Sequence, residues 1–383
     1  MSNKINETIK EVFTEMASAL ETGTLGPRIK IGLTIDGSEH GLTVMQEAVK
    51  LAQKNDNFDI VAIGSQVDWP GIENVVTTCE ADNYKKMEEL LASGYLQGCV
   101  TLHYSFPIGV STVGRVITPG TGKEMLISTT TGTTSSNRNE AMVLNAVNGV
   151  AAAKAIGIKQ PTVGILNVDG ARSVERALKT LKENGYPINF SESHRADGGT
   201  VMRGNDLLEG SADVMVCDSL TGNILMKMFS AYTTGGSYEA MGYGYGPGIG
   251  DGYENNILII SRASGASVIA NAMLYAYELA SGDIIAKSQE EYRLAKAAKL
   301  KEVCESLQPK QAVAEQAIEM PAKEIVTSDI AGIDVIELDD AVKALWKENI
   351  YAESGMGCTG PIVLISEANH DKAVEILKAA EFI

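Results

Sequence analysis

Positive charge and aromatic rings are both scarce in this sequence. Against 49 Asp and Glu residues stand only 32 Lys and Arg, a formal net charge of −17. A field of that sign repels phosphate backbones and anionic bilayers, which disfavours nucleic acid and membrane partners. Aromatic residues contribute 5% of the chain, whereas hydrophobic residues of all kinds reach 44% and glycine occurs 38 times. Such a composition excludes a disordered chain and describes a globular protein of small side chains and many turns. No apolar run approaches the roughly 18 residues of a membrane span. The N-terminus, where Lys4 is followed by Glu7, Glu11 and Glu15, lacks the apolar core of a signal peptide. A cytoplasmic protein is expected.

Paired cysteines are also missing. Cys79, Cys99, Cys217, Cys304 and Cys358 are odd in number, widely spaced and never in C-x-x-C, so neither a disulfide framework nor a zinc ribbon is indicated. His40, His103, His194 and His370 show no metal-ligand spacing, and no metal is expected. Gly120 to Glu124 lacks the Ser or Thr after Lys123 and the upstream glycine of a P-loop. The glycine run 242–253 never places glycines at i, i+2 and i+5 and is followed by a strand, so it reads as a mobile lid or a closely packed backbone crossing.

What is present is an alternation of short β-branched runs with helical stretches. Strands are expected at 29–35, 58–63 and 99–102, with helices at 41–54 and 83–93. After a Thr/Ser-rich segment the rhythm resumes: helices at 139–155, 172–184, 222–231 and 265–280, strands at 162–168, 213–217 and 257–260. This order predicts an α/β fold with a parallel sheet, in two lobes bounded near 140–160. Ahead of it, residues 5–21 form an amphipathic helix with Ile5, Ile9, Val12, Phe13, Met16 and Leu20 on one side, a docking arm within 1–27. Residues 287–318 read as a mostly exposed helical connector within 283–320. A small α+β module at 321–383 follows, with a strand at 333–338, a helix at 339–348, a glycine-rich turn at 355–360, a strand at 362–365 and a helix at 370–380.

Three segments carry chemistry. In Glu353-Ser-Gly-Met-Gly-Cys-Thr-Gly-Pro361, three glycines surround the Cys358 thiol. Glycine clears side chains from around the sulfur and lets backbone N–H groups of Gly357, Thr359 and Gly360 approach an attacking thiolate and a developing oxyanion. A tight turn with an incidental buried cysteine has the same sequence pattern. Ile260 to Ser267 closes a strand and opens a helix, converging Ser261, Arg262, Ser264 and Ser267 on a helix N-terminus, either as an oxyanion cradle or as an ordinary cap. Thr221-Gly222-Asn223, with Lys227 one turn on, repeats that strand-to-helix geometry, and open α/β sheets bind ligands at such carboxyl ends. Residues 128–138, with five Thr and three Ser, line a polar pocket or form a solvated turn.

Residues 29–40, 160–167, 204–227 and 244–280 resemble phosphate acyltransferases of the PlsX type, and the G-N-x-x-x-K and S-R-x-x-x-x-S pieces are similar to phosphotransacetylases. That likeness covers 28–282. The whole chain, including G-M-G-C-T-G-P-I-V, resembles the component C alpha subunits of glycine/sarcosine/betaine reductase complexes. The resemblance implies a PlsX/phosphotransacetylase-like fold and an acetyl thioester on Cys358. The acetyl group would derive from a carboxymethylated selenoprotein A and be released by inorganic phosphate as acetyl phosphate, with no other cofactor. A component C beta subunit and a homo- or hetero-oligomer are implied as partners. Ser261 and Arg262 match the phosphotransacetylase pair, and Asn223, Lys227, Ser264 and Ser267 complete the expected phosphate site. The acidic residue that follows in that family is absent, since 265–270 holds no carboxylate. An independent acyltransferase using an acyl carrier or coenzyme A, and a scaffold subunit, are the alternatives.

Overall fold

The computed structural model describes residues 28–195, 198–308, 320–334, 337–357, 360–380 and 382–383, together with Lys10, Val12, Phe13 and Met16 of the arm. Those four are helical, and Val12, Phe13 and Met16 are exposed.

The first strands arise where β-branched and aliphatic residues cluster: β1 (Lys30–Thr34), β2 (Asp59–Gly64), β3 (Glu73–Val76) and β4 (Gly98–Thr101). All pair in parallel. Their connections include α1 (Gly41–Ala52) and α2 (Glu80–Ala92). An antiparallel pair follows, β5 (Val110–Ile117) and β6 (Glu124–Thr133). Next come α3 (Arg138–Ala155), β7 (Thr162–Leu166), α4 (Ala171–Glu183), β8 (Asn189–Phe190), β9 (Val201–Met202) and α5 (Gly204–Glu209). They are followed by β10 (Val214–Val216), α6 (Ser219–Ala231), β11 (Gly246–Gly250), β12 (Ile257–Ile259) and α7 (Ala266–Ser281).

These strands make one 12-stranded sheet, ordered β3-β2-β1-β4-β12-β11-β5-β6-β10-β7-β8 with β9 beside β7. It is parallel except where β11 and β5 run against their neighbours. The fold class is therefore α/β with a mostly parallel sheet. Residues 140–160, where a lobe boundary was expected, begin inside α3, whose inward surface is buried from Ala141 to Ala155. Residues 134–137 do form the bend before α3, but strand β6 corrects the reading of 128–138 as a turn or pocket lining for residues 128–133, where Ser128, Thr129 and Thr130 are buried strand residues. Their hydroxyls bond main-chain carbonyls of Asn145, Thr112 and Tyr245 respectively, so a polar run fills a sheet interior. The glycine run resolves as a backbone crossing: β11 is buried throughout between β12 and β5.

The connector reading at 287–318 holds for the helical, mostly exposed stretch up to 308, with residues 309–318 outside the described residues, but one face of its helices is docked. α8 (Ile284–Ala297) packs along α3, and α9 (Leu300–Ser306) packs on α8 and α4. Tyr292, Ala295, Leu300, Val303 and Cys304 are buried in the main core, and the Tyr292 hydroxyl donates to Asn148 Oδ1 at 2.8 Å. Alanine-rich and charged positions alternate here so that one face docks while the other is solvated, a pattern that exposes only half of each helix.

The C-terminal module has its own three-stranded antiparallel sheet, β13 (Ser328–Ala331), β15 (Gly360–Ile365) and β14 (Ala352–Gly357) in that order. Helices α10 (Leu338–Lys347) and α11 (His370–Ala379) complete a separate core around Leu345, Val363 and Ile365. The strand expected at 333–338 lies earlier, at β13, because Asp334 is drawn to the start of α4. There its Oδ1 accepts the Gly170 N–H at 3.4 Å, while Glu337 pairs with Arg176 at 2.6 Å.

Candidate active site

Two strand-to-helix junctions, after β12 and after β10, lie on opposite sides of β11 in the sheet. After β12 the chain turns through Ser261–Gly265 into α7. This turn is tied to itself: Ser261 N–H donates to Ser264 Oγ, Ala263 N–H to Ser261 Oγ, and Ser264 N–H to the Ser261 carbonyl, at 3.0 to 3.1 Å. It is also clamped from outside by Glu239, whose N–H donates to the Ala263 carbonyl while its own carbonyl accepts the Gly265 N–H. Residue 265 must be small, because a Cβ there would meet the Tyr238 ring at 2.8 Å.

After β10, Asp218 caps α6 by accepting the Leu220 and Thr221 N–H groups, and it holds Arg138 at 3.0 Å. Burial raises the Asp218 carboxyl, but the Thr221 hydroxyl and N–H and the Arg138 guanidinium outweigh it and leave the group below the usual carboxylate range. Gly222 lets α6 lie on β6, since a Cβ would fall 1.7 Å from the Thr129 carbonyl oxygen.

The junctions meet at one carboxylate. Glu239 is buried; its Oε2 accepts the Ser264 hydroxyl at 2.8 Å, its Oε1 accepts the Tyr245 hydroxyl at 3.0 Å, and the Lys227 ammonium of α6 lies 3.7 Å from Oε1. Burial and the adjacent Glu239 charge push the Tyr245 phenol upward, so it remains a donor at neutral pH. Beside this group opens a cleft of about 420 Å³ lined by Lys227, Met228, Ala231, Tyr232, Tyr238 and Glu239, a largely apolar wall with one ammonium.

The structure thus brings Lys227, Ser264 and Ser261 together and sends the other expected residues elsewhere. Exposed Arg262 pairs with Glu80 of α2 at 3.1 Å. Asn223 donates its amide to the Thr130 carbonyl at 3.2 Å. The Ser267 hydroxyl donates to the Ala240 carbonyl at 2.7 Å. Ser264 is fully buried and its proton is directed to Glu239, so it organises the turn instead of facing solvent. Glu239 and Glu80 were not singled out from sequence. Both act on the junction turn across 24 residues or more, where no local spacing signals them.

Gly357 and Gly360 are ladder partners at the ends of β14 and β15. Cys358 and Thr359, between them, lie outside the described residues. Of the other thiols, Cys99 and Cys217 are fully buried and driven upward by desolvation, and burial pushes Cys304 up to about 12. Groups held protonated in this way are poor nucleophiles. Cys79 is exposed. Among the described residues no cluster of three or more His, Cys, Asp or Glu could hold a metal ion, and no helix is long and apolar enough to cross a membrane.

The sequence profile of the family described as "Fatty acid synthesis protein" matches residues 29–364. The glycine/sarcosine/betaine reductase complex component C subunit alpha of Peptoclostridium acidaminophilum is 58% identical over 382 residues, covering 99% of this chain and 99% of its own. A phosphate acyltransferase of Helicobacter hepaticus is 24% identical over 241 residues, 52% of this chain and 69% of its own. The crystal structure of a branched-chain phosphotransacylase from Enterococcus faecalis V583 superposes with a TM-score of 0.48 at 15% identity, covering 66% of this chain and 99% of that one.

Proposed function

This chain belongs to the fatty acid synthesis protein family, and from that premise we propose that it is the acetyl-transferring alpha subunit of a component C of the glycine reductase type. The observation that carries this reading is the likeness to a component C alpha subunit over nearly the full length of both chains, including the segment around Cys358. In this reading, in a complex with a beta subunit, the C–Se bond of a carboxymethylated selenoprotein A breaks and Cys358 takes the two-carbon unit as an acetyl thioester; selenium supplies the two electrons and ends bonded to a second thiol as a selenenyl sulfide, and one carboxylate oxygen leaves as water. An oxygen of hydrogen phosphate then attacks the thioester carbonyl. The C–S bond breaks, the phosphate proton passes to the departing sulfur, and acetyl phosphate leaves. Inorganic phosphate is a co-substrate and no further cofactor is required.

Physical demands on the chain follow. A free thiol with a pKa of about 8.5 is only a few per cent ionised at neutral pH, so backbone N–H groups of Gly357, Thr359 and Gly360 must favour its anion. Phosphate is assigned to the junction turn at Ser261 and Arg262, with Lys227 across the cleft; Ser264 supports it by holding the turn in shape, and Arg262, Asn223 and Ser267 reach the anion only by leaving Glu80 and the Thr130 and Ala240 carbonyls. Holding phosphate and thioester in register contributes several kcal/mol to the rate. Delivery of Cys358 to that turn, in the same chain or a neighbouring one, completes the site.

Incubation with acetyl phosphate followed by intact-mass analysis and peptide mapping tests the reading. A single acetyl group on residues 353–361, lost in Cys358→Ala, is the expected result. Acetyl phosphate formed from acetyl-CoA by Cys358→Ala would instead identify an independent phosphate acyltransferase. Normal turnover by a complex carrying both Cys358→Ala and Arg262→Ala would identify a scaffold.

A further inference from the structure

Glu239 is a carboxylate whose hydroxyl partners do not need its charge. Ser264 and Tyr245 donate O–H groups to its two separate oxygens; an uncharged glutamine would accept one of them through its amide oxygen and offer its NH2 to the other, whose hydroxyl can rotate to accept. Burying an ionised carboxylate costs several kcal/mol of solvation unless a cation or strong donors compensate. The cation present is Lys227, 3.7 Å away, whose own side chain is 59% exposed at the wall of the cleft. Glu239 also grips the junction turn by its main chain, through Ala263 and Gly265. One residue therefore links the cation of α6 to the turn that starts α7.

We infer that Glu239 is a positioning residue that anchors the Lys227 ammonium beside the Ser261–Gly265 turn, so that an inorganic oxyanion meets the ammonium and the turn at one fixed separation. This inference rests on the phosphate site proposed above and adds a residue to it. It also supplies, from a loop before β11, an acidic partner that residues 265–270 do not contain. Untethered, a lysine side chain spreads its ammonium over many rotamers, and ordering it must then be provided by the bound anion.

The test measures Michaelis constants for phosphate in acetyl phosphate formation by the reconstituted complex, with thermal unfolding of each variant in rising inorganic phosphate as a second readout. Glu239→Gln keeps the shape, accepts one hydroxyl through its oxygen, offers its NH2 to the other, and removes the charge. It is expected to raise KM for phosphate about tenfold with kcat little changed, the size of one charge-assisted contact. Lys227→Met should do the same, and the double variant should be no worse than Lys227→Met within about twofold, because the two residues act as one unit. Effects that multiply in the double variant, or an unchanged KM in Glu239→Gln, overturn the inference. If Glu239→Gln does not fold, Glu239→Asp keeps the charge but withdraws it by one methylene from the Lys227 ammonium. It should raise KM in the same direction, and no rise would count against the anchor. A wild-type complex that neither makes acetyl phosphate nor is stabilised by phosphate would instead defeat the underlying functional reading, whatever the variants do.

Discussion

At the scale of single residues, the junction turn separates two kinds of charge. Glu239 is enclosed, while Arg262 and Glu80 form a pair whose side chains are 50% and 40% exposed. Solvent screens such a pair, and holding two long side chains in one geometry opposes what attraction remains. Glu80→Gln is accordingly expected to change unfolding free energy by less than about 1 kcal/mol, measured by urea titration at low and physiological salt. A larger loss would mean that Arg262 is fixed in place by Glu80. Lys227, Ser261 and Ser264 were readable from sequence because helix starts after strands have a local signature of small hydroxyl residues and glycine. Glu239 was not readable: its neighbours Tyr238 and Ala240 show no period, and its partners arrive from α6, from Tyr245 just ahead of β11 and from the turn before α7. The surroundings of Cys358 were readable as a glycine-rich approach to an apolar strand, and Gly357 and Gly360 do end paired strands.

Elements followed the same division. Parallel strands and their helices were legible because aliphatic runs bounded by helical periodicity have few other uses. β6 was hidden because threonines in a sheet interior look like a polar loop until their carbonyl partners are known. β11 was hidden because three of its five residues, Gly246, Gly248 and Gly250, have no side chains from which to read a pattern. Their smallness is what places a strand there. Gly246 has φ +88°, and a Cβ on it would lie 1.8 Å from the Val113 carbonyl oxygen, while one on Gly248 would lie 2.4 Å from the Phe106 ring. Gly246→Ala combines a left-handed backbone position with a collision against main chain, which has no rotamer by which to retreat. The expected loss is at least about 3 kcal/mol, seen as a fall in the urea midpoint or as insoluble protein. A variant of wild-type stability would show that β5 and β11 can separate without penalty.

Over the whole molecule, acidity is both excess and support. Asp213 shows the supporting role: burial raises its carboxyl, but the Thr162 N–H and hydroxyl and the Lys123 ammonium more than reverse the shift. Asp218 behaves alike. With folded values below those of the unfolded chain, both groups stabilise the protein above the ordinary carboxylate pKa of about 4. That contribution is lost as pH falls from there through the lowered folded values, because the unfolded chain then binds more protons. Urea midpoints should therefore begin to drop as pH falls below the ordinary carboxylate value of about 4, and Asp213→Asn should flatten the drop while lowering stability at pH 7. An equal slope in that variant would remove Asp213 from the acid response.

The place of β12 in the sheet has a consequence for synthesis. It is inserted between β4 and β11, so a nascent polypeptide emerging from a ribosome carries β1, β2 and β4 for roughly 150 residues of translation with one flank of β4 unclaimed. An unclaimed flank of this kind invites pairing with other chains. The early half of this protein is therefore the part that should engage a chaperone during elongation, and release should coincide with the appearance of residues 257–259.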